Sequence, residues 1–217
     1  MHVVNVDDLR YSDVLASTTI IPRGSSITKN LLDTLKSEDA STLYHSINVA
    51  IIAKYIARIL KLDDATINEI TTAALLHDIG KLQVPNEILY KRDKLTHEEF
   101  DIIKEHPTLG YHILKQAGCV NTDIIHGVFE HHERWDGYGY PMGLCDLDIH
   151  IYARIIAIAD VYDALVSERS YKKALSREDA IECMKADSGH FDTDILNRFL
   201  HSIENTSSNG VDILRIS

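Results

Sequence analysis

The chain has 217 residues, 45% hydrophobic and 25% charged, with a formal net charge of -11 at pH 7 and a pI near 5.5. That length suits one large core with a small N-terminal extension, and the acidic balance argues against a partner made of polymeric nucleic acid, which calls for a basic footprint. Acids in "MHVVNVDDLRY" where a signal peptide is basic, no apolar run of bilayer length, and the scattered Cys119, Cys145 and Cys183 lead us to expect a protein of the reducing cytoplasm without a membrane partner.

Residues 1–40 are expected to form an extension of mixed or β character. In it "VLASTTII" reads as a short strand, "PRGSS" as a turn and "LLDTLKS" as a short helix. From residue 41 to 204 apolar residues recur at helical spacing, which predicts an all-α bundle. Leu43, Ile47, Ala50, Ile51, Tyr55 and Ile59 follow steps of three and four in the first helix. Asp63 or Asp64 can cap "DATINEITTAALLHDIGK", whose later half is apolar on every face and so is expected to be buried. Thr96 and Glu99 fit a capping box, opening a helix that stops or bends at Pro107. "TLGYHILKQAG" continues to a stop at Gly118, "TDIIHGVFEHHERW" reads as helix, and "DGYGYPMG" reads as a turn. "HIYARIIAIADVYDALVSE", "SREDAIECMKAD" opened by Ser176, and "DTDILNRFLHSIE" complete the body, and residues 205–217 read as a polar tail.

The twelve histidines carry the chemical signal, several standing beside carboxylates or within apolar segments. Asp78 ends an apolar helix and would be costly to bury unpaired, so it needs cations, hydrogen bonds or a proton. An ion pair with Lys81 is the plain structural alternative. Asp160 repeats the pattern in "RIIAIAD", and His45 lies mid-helix in "LYHSINVA". Each alone is more often a satisfied core residue than a ligand. Together with His77 they bring imidazole nitrogen and carboxylate oxygen from three helices, a mixture that suits a divalent transition metal inside a bundle. His106 and the adjacent His131 and His132 add more donors than one ion can use. Neighbours on a regular helix point about 100° apart, so both adjacent histidines reach one ion only where the helix is ending.

The blocks "YHS" at His45, "HDIGK" at His77, "HP" at His106, "HHERWDGYGYP" from His131 and "ADVYDALVSERSYKK" from Ala159 closely resemble the HD-GYP family. This is the cyclic di-GMP phosphodiesterase branch of the HD-domain metal phosphohydrolases, and the blocks span roughly residues 41–175 in the family order. The resemblance implies an HD-domain helical bundle over residues 41–204 that holds two divalent metal ions, iron or manganese in preference, with zinc also accommodated. The first ion would be held by His45, His77, Asp78 and Asp160, and the second by Asp78 as a bridge, His106, His131 and His132. Four protein bonds per ion and one shared hydroxide leave each roughly octahedral ion one open position for a phosphodiester oxygen. Counting formal charges leaves about one net positive charge, which lets an acidic protein attract an anion. The implied reaction is attack of the bridging hydroxide on cyclic di-GMP, giving linear pGpG, with a further cut to GMP left open.

By the same resemblance Asp78 and Lys81 are the catalytic candidates, Lys81 also meeting a phosphate or leaving oxygen, and Arg169 and Lys172 contact nucleotide phosphates. Gly139, Tyr140 and Pro141 would wall the pocket mouth, and Glu133 is expected to orient a ligand histidine. Ser41 stands where some members carry a glutamate that holds a third metal, and Glu38, two turns before His45, is a poor substitute. The expectation is therefore a dinuclear centre, with Asp163 orienting a histidine or water. Ser170 replaces a common proline. Trp135 and Tyr138 fit packing of the turn better than base stacking. Other readings are a phosphohydrolase for another cyclic dinucleotide, or a non-catalytic signalling module. A homodimer or a regulatory protein partner is left open.

Overall fold

The computed structural model describes residues 25–168 and 173–207. Ten α-helices follow in chain order among the described residues: α1 Ser25–Glu38, α2 Ala40–Ile59, α3 Asp64–Leu76, α4 Asn86–Leu89, α5 His97–Lys104, α6 His106–Gln116, α7 Thr122–Phe129, α8 Ile151–Val166, α9 Arg177–Ala186 and α10 Thr193–Ser207. Short 3-10 turns occupy Ile79–Gln83, Asp146–Asp148 and Ser188–His190. There is no strand among the described residues, and the architecture is the all-α bundle expected. The expected strand and most of the turn after it lie outside the described residues, as do Arg169, Ser170, Lys172 and residues 208–217. No described helix is long and apolar enough to cross a membrane.

Local chemistry sets several helix starts. The side chain of Asp63 accepts from the backbone N–H groups of Ala65 and Thr66, Ser176 accepts from Asp179, and Thr96 and Glu99 exchange both bonds of a capping box. Asn121 caps α7 by accepting from Ile124. Each satisfies an N–H left without a partner in the first helical turn.

α2 and α3 form the central pair, with α8 packed on α2 and α7 on both α3 and α8. Their shared core is aliphatic, with Ile52, Ile56, Ile70, Leu75, Ile155 and Ile156 essentially inaccessible to solvent. α1 starts at Ser25, earlier than the helix expected in "LLDTLKS", and contributes fully buried Leu32 and Leu35 to the same core. It therefore packs with the body, although the sequence places it in the extension. α10 likewise runs into the segment expected as tail, ending at Ser207.

Two helices end earlier than the segments read as helix from the sequence. α3 stops at Leu76 and gives way to the 3-10 turn, leaving His77 and Asp78 at the break. α7 stops at Phe129, so His131 and His132 lie in a turn. The 3-10 turn packs on α6 so closely that a Cβ built on Gly80 would lie 2.5 Å from Gly110 N and closer still to the His106 carbonyl oxygen. Only glycine allows this approach.

Candidate metal centre

These breaks, together with α2, α6 and α8, bring all the expected ligand residues to one buried place. Two compact groups form, His45, His77 and Asp78 in one and His106, His131 and His132 in the other, with candidate ligand atoms in each within 4.8 Å of one another. Asp160 joins the first through a 2.9 Å contact from Oδ1 to His45 Nε2. Asp78 stands between the groups. Its Oδ2 is 3.4 Å from His77 Nε2 and 3.8 Å from His45 Nε2, and its Oδ1 is 3.3 Å from His106 Nε2. The rings of His131 and His132 lie 4.2 Å apart, an arrangement that the chain achieves only because α7 has ended.

The histidines are oriented from behind in a repeated way. Nδ1 of His77 lies 2.7 Å from the Ala74 carbonyl, that of His106 2.8 Å from Ile103, and that of His131 2.6 Å from Val128. Each carbonyl belongs to the residue three positions earlier. Nδ1 of His45 lies 2.6 Å from Asp163 Oδ2, and Ser167 donates to the other oxygen of Asp163 at 2.7 Å. Carbonyls and carboxylates only accept, so Nδ1 of each ring carries the proton, and Nε2 of the neutral ring is left with a bare lone pair.

That leaves an electrostatic problem. Nε2 of His106 and His131 face one another at 3.2 Å, two acceptors without a hydrogen between them, and buried His77 Nε2 has no hydrogen-bond partner among the described residues. Buried polar atoms are rarely left so. Imidazole lone pairs converging on a carboxylate fit a divalent cation, and the two groups fit two of them.

Charge states agree. Burial pushes His106 down to about 4, only partly offset by Asp78, and pushes His132 down to about 3. His131 falls well below its usual value through burial and its neighbouring histidines. All three are therefore neutral and able to ligate near pH 7. For His45 burial acts downward as the largest single effect, but hydrogen bonds to Asp160 and Asp163 and their charges outweigh it and raise the value to about 9. Burial would raise Asp78, yet Lys81 and the nearby histidines hold it well below the carboxylate range. Asp160 is lowered against the same burial by His45. A proton on His45 occupies the place that a cation would take.

Lys81 donates to Asp78 Oδ2 at 2.6 Å, the ion pair named above as the structural alternative, and it remains partly exposed at the edge of the centre. The ring of Tyr140 stacks on His132, with centroids 4.7 Å apart and planes 28° apart. Gly139 presses on the backbone behind it, since a Cβ there would lie 2.5 Å from Glu133 Cα. Met142, just past Pro141, and Tyr138 are exposed. Tyr138 thus does not pack the turn as expected, whereas Trp135 does, beneath the Arg154 guanidinium at 5.8 Å.

Glu133 corrects a further expectation. It bonds to none of the histidines expected as ligands. Its buried carboxylate accepts from the backbone N–H of Met142 at 2.6 Å and of Leu144 at 3.0 Å, because the returning loop turns these amides inward. Two contributors escaped sequence reasoning. Gly80 gave a signal only through its place in "HDIGK". Buried Glu130 takes His126 Nδ1 at 2.6 Å and His150 N at 2.7 Å, tying the end of α7 to the start of α8. Its signal was an acid at the end of an apolar helix.

The HD domain family model matches residues 25–195. The chain belongs to the HD domain family. The HD domain here is 41% identical over 169 residues to the cyclic di-GMP phosphodiesterase PA4108 of Pseudomonas aeruginosa, covering 78% of this chain and 41% of that protein. It is 40% identical over 167 residues to a cyclic di-GMP phosphodiesterase of Thermotoga maritima, covering 75% and 45%. The chain thus spans less than half the length of these relatives. Among solved structures it resembles Bd1817, an HDG"Y"P protein of Bdellovibrio bacteriovorus, with a TM-score of 0.65 and 19% identity over 91% of this chain and 64% of that one.

Replacing Asp163 by Asn tests the orientation of His45. The amide can turn either its oxygen or its NH2 toward Nδ1, so the productive tautomer is no longer enforced. Metal affinity is expected to fall by about 10- to 100-fold, read by competition with a chelating dye. An unchanged affinity would show that Asp163 does not set the ring.

Proposed function

We propose that this HD domain hydrolyses cyclic di-GMP with two divalent metal ions. The observation that carries the reading is the set of bare Nε2 atoms converging around Asp78, in a chain similar to cyclic di-GMP phosphodiesterases. His45, His77, Asp78 and Asp160 would hold the first ion, and Asp78, His106, His131 and His132 the second. When bound, the ions supply Lewis acidity toward phosphodiester oxygens and acidify a water nucleophile. The first product is linear pGpG, with GMP after a second cut.

The chain's own residues do the remaining work. Asp78 places negative charge between the two groups, and the Nδ1 bonds hold the rings preorganised, so no rearrangement is needed during reaction. Lys81, partly exposed beside Asp78, presents an ammonium at the edge where a phosphate or leaving oxygen arrives. Tyr140 flanks His132 and, with Gly139 and Pro141, walls the mouth. Asp163 holds His45, and Ser41 in place of an acid favours two ions over three. Arg169 and Lys172 complete the reading as phosphate contacts, and iron or manganese suits the mixed imidazole and carboxylate donors. The cytoplasm is the matching compartment, consistent with three free cysteines.

The test is to purify the full chain without oxygen, count its metals, and follow turnover of cyclic di-GMP and of a hybrid cyclic dinucleotide with iron, manganese or zinc. Two ions per chain and preferential cleavage of cyclic di-GMP are expected. No turnover by any loaded form sinks the enzyme reading, faster cleavage of the hybrid sinks the substrate, and three ions sink the inference from Ser41.

A further inference from the structure

One ligand histidine is held differently from the others. The Nδ1 atoms of His45, His77, His106 and His131 are each held by an oxygen acceptor. Among the described residues no hydrogen bond holds the His132 ring. Its orientation depends on packing against the rings of His131 at 4.2 Å, Tyr140 at 4.7 Å and His106 at 5.0 Å. His131 and His106 are themselves held through Nδ1, so Tyr140 is the one of these three whose position rests on the loop.

Tyr140 sits on the returning limb of the loop that starts at Arg134. Its N–H donates to the His132 carbonyl at 3.2 Å, and two residues later the limb is fastened by Met142 and Leu144 donating to the buried Glu133 carboxylate. Gly139 lies against the backbone of Glu133 and Arg134, which brings the limb down flat. The outgoing limb is secured separately, through Arg134 to Asp136 and Asp187 and through the amides of Trp135 and Asp136 to His190 and Gly189. Loss of the Glu133 bonds therefore loosens the return limb at Met142 and Leu144, just past Tyr140, leaving Tyr140 its single amide bond to the His132 carbonyl and the rest of the loop anchored.

We propose that Glu133 is a positioning residue for metal binding, acting through the loop: its carboxylate fastens the return limb so that Tyr140 packs on the His132 ring and aims it at the second ion. The inference rests on the metal centre proposed above, and its readout is metal binding rather than turnover. Failure to cleave cyclic di-GMP would thus overturn the substrate and leave this inference standing.

The full chain is titrated with cobalt(II) without oxygen, following the visible absorption band and competition with a chelator. His132→Ala first identifies the ion that this residue holds. Glu133→Gln, which puts an NH2 against amide donors, is expected to weaken that same ion by about 10- to 100-fold, as loss of a supporting partner does, and to alter its band. The other ion shares Asp78 with it and is coupled to it, so it should weaken too, but clearly less. Tyr140→Ala should reproduce the effect, and Tyr140→Phe, which keeps the stacking face, should restore both affinity and band. Wild-type binding in Glu133→Gln or in Tyr140→Ala overturns the proposal. So does an equal weakening of both ions with a lowered melting temperature, the mark of a merely structural role.

Discussion

Asp78→Asn is expected to abolish turnover, by more than about a thousandfold, and to remove the stabilisation that metal gives the protein. The two oxygens of Asp78 face both sets of histidines, 3.4 Å from His77 and 3.3 Å from His106. An amide has the same size but no charge to balance two cations, so the loss should exceed the roughly 10- to 100-fold that follows removal of an outer partner. Folding of the metal-free chain should survive. Asp78 is buried, and the carboxylate costs desolvation that Lys81 and the histidines offset. A neutral residue avoids that cost and forgoes the ion pair. The clean readout is thermal. Metal at about a hundred times its dissociation constant stabilises a one-site protein by about 2.7 kcal/mol, and Asp78→Asn should show little of that shift. A variant that still binds two ions and turns over substrate would remove Asp78 from the centre.

Gly80→Ala should be nearly as damaging without touching an ion. The added methyl would lie 2.5 Å from Gly110 N and 2.9 Å from the His106 carbonyl carbon, and closer still to the oxygen. These are backbone atoms, so no rotamer change relieves the clash. The turn and α6 must separate, at a cost near the upper end of the roughly 1–3 kcal/mol typical of overpacking. Alanine's entropic advantage over glycine, about 0.5–1 kcal/mol, does not offset this. The displacement would move His106, the first residue of α6, away from His131. Misplacement of about 1 Å can cost a hundredfold in rate. Gly110→Ala is the control, since its Cβ would meet the Val128 side chain at 3.1 Å, which can shift. Denaturant unfolding and metal counts should show a much larger loss in Gly80→Ala, and equal effects would remove the close approach as the cause.

The helical class and most helix starts were legible because they depend on neighbours in sequence. Asp63, Thr96 and Ser176 cap the helices they precede by bonds that reach two or three residues ahead. The residue types of the centre were legible for a related reason. Acids and histidines in apolar surroundings are too costly to bury without a shared purpose, and their order along the chain matches one family. The break of α3 after Leu76 was not written in the periodicity, which resumes at Ile79, whereas α7 ends where its apolar pattern gives way to Glu130, His131 and His132.

Composition, caps and motif order thus determined an acidic helical bundle with imidazole and carboxylate donors on several helices. Tertiary packing alone decided how those donors meet. It set which nitrogen of His45, His77, His106 and His131 faces inward, through carbonyls and the Asp163 carboxylate, and it placed Asp78 between the two groups. It also turned Glu133 away from the histidines, toward amides nine and eleven residues ahead. A capping bond is specified by local spacing, whereas a buried carboxylate takes whichever donors the folded loop brings within reach, and no sequence period encodes that choice.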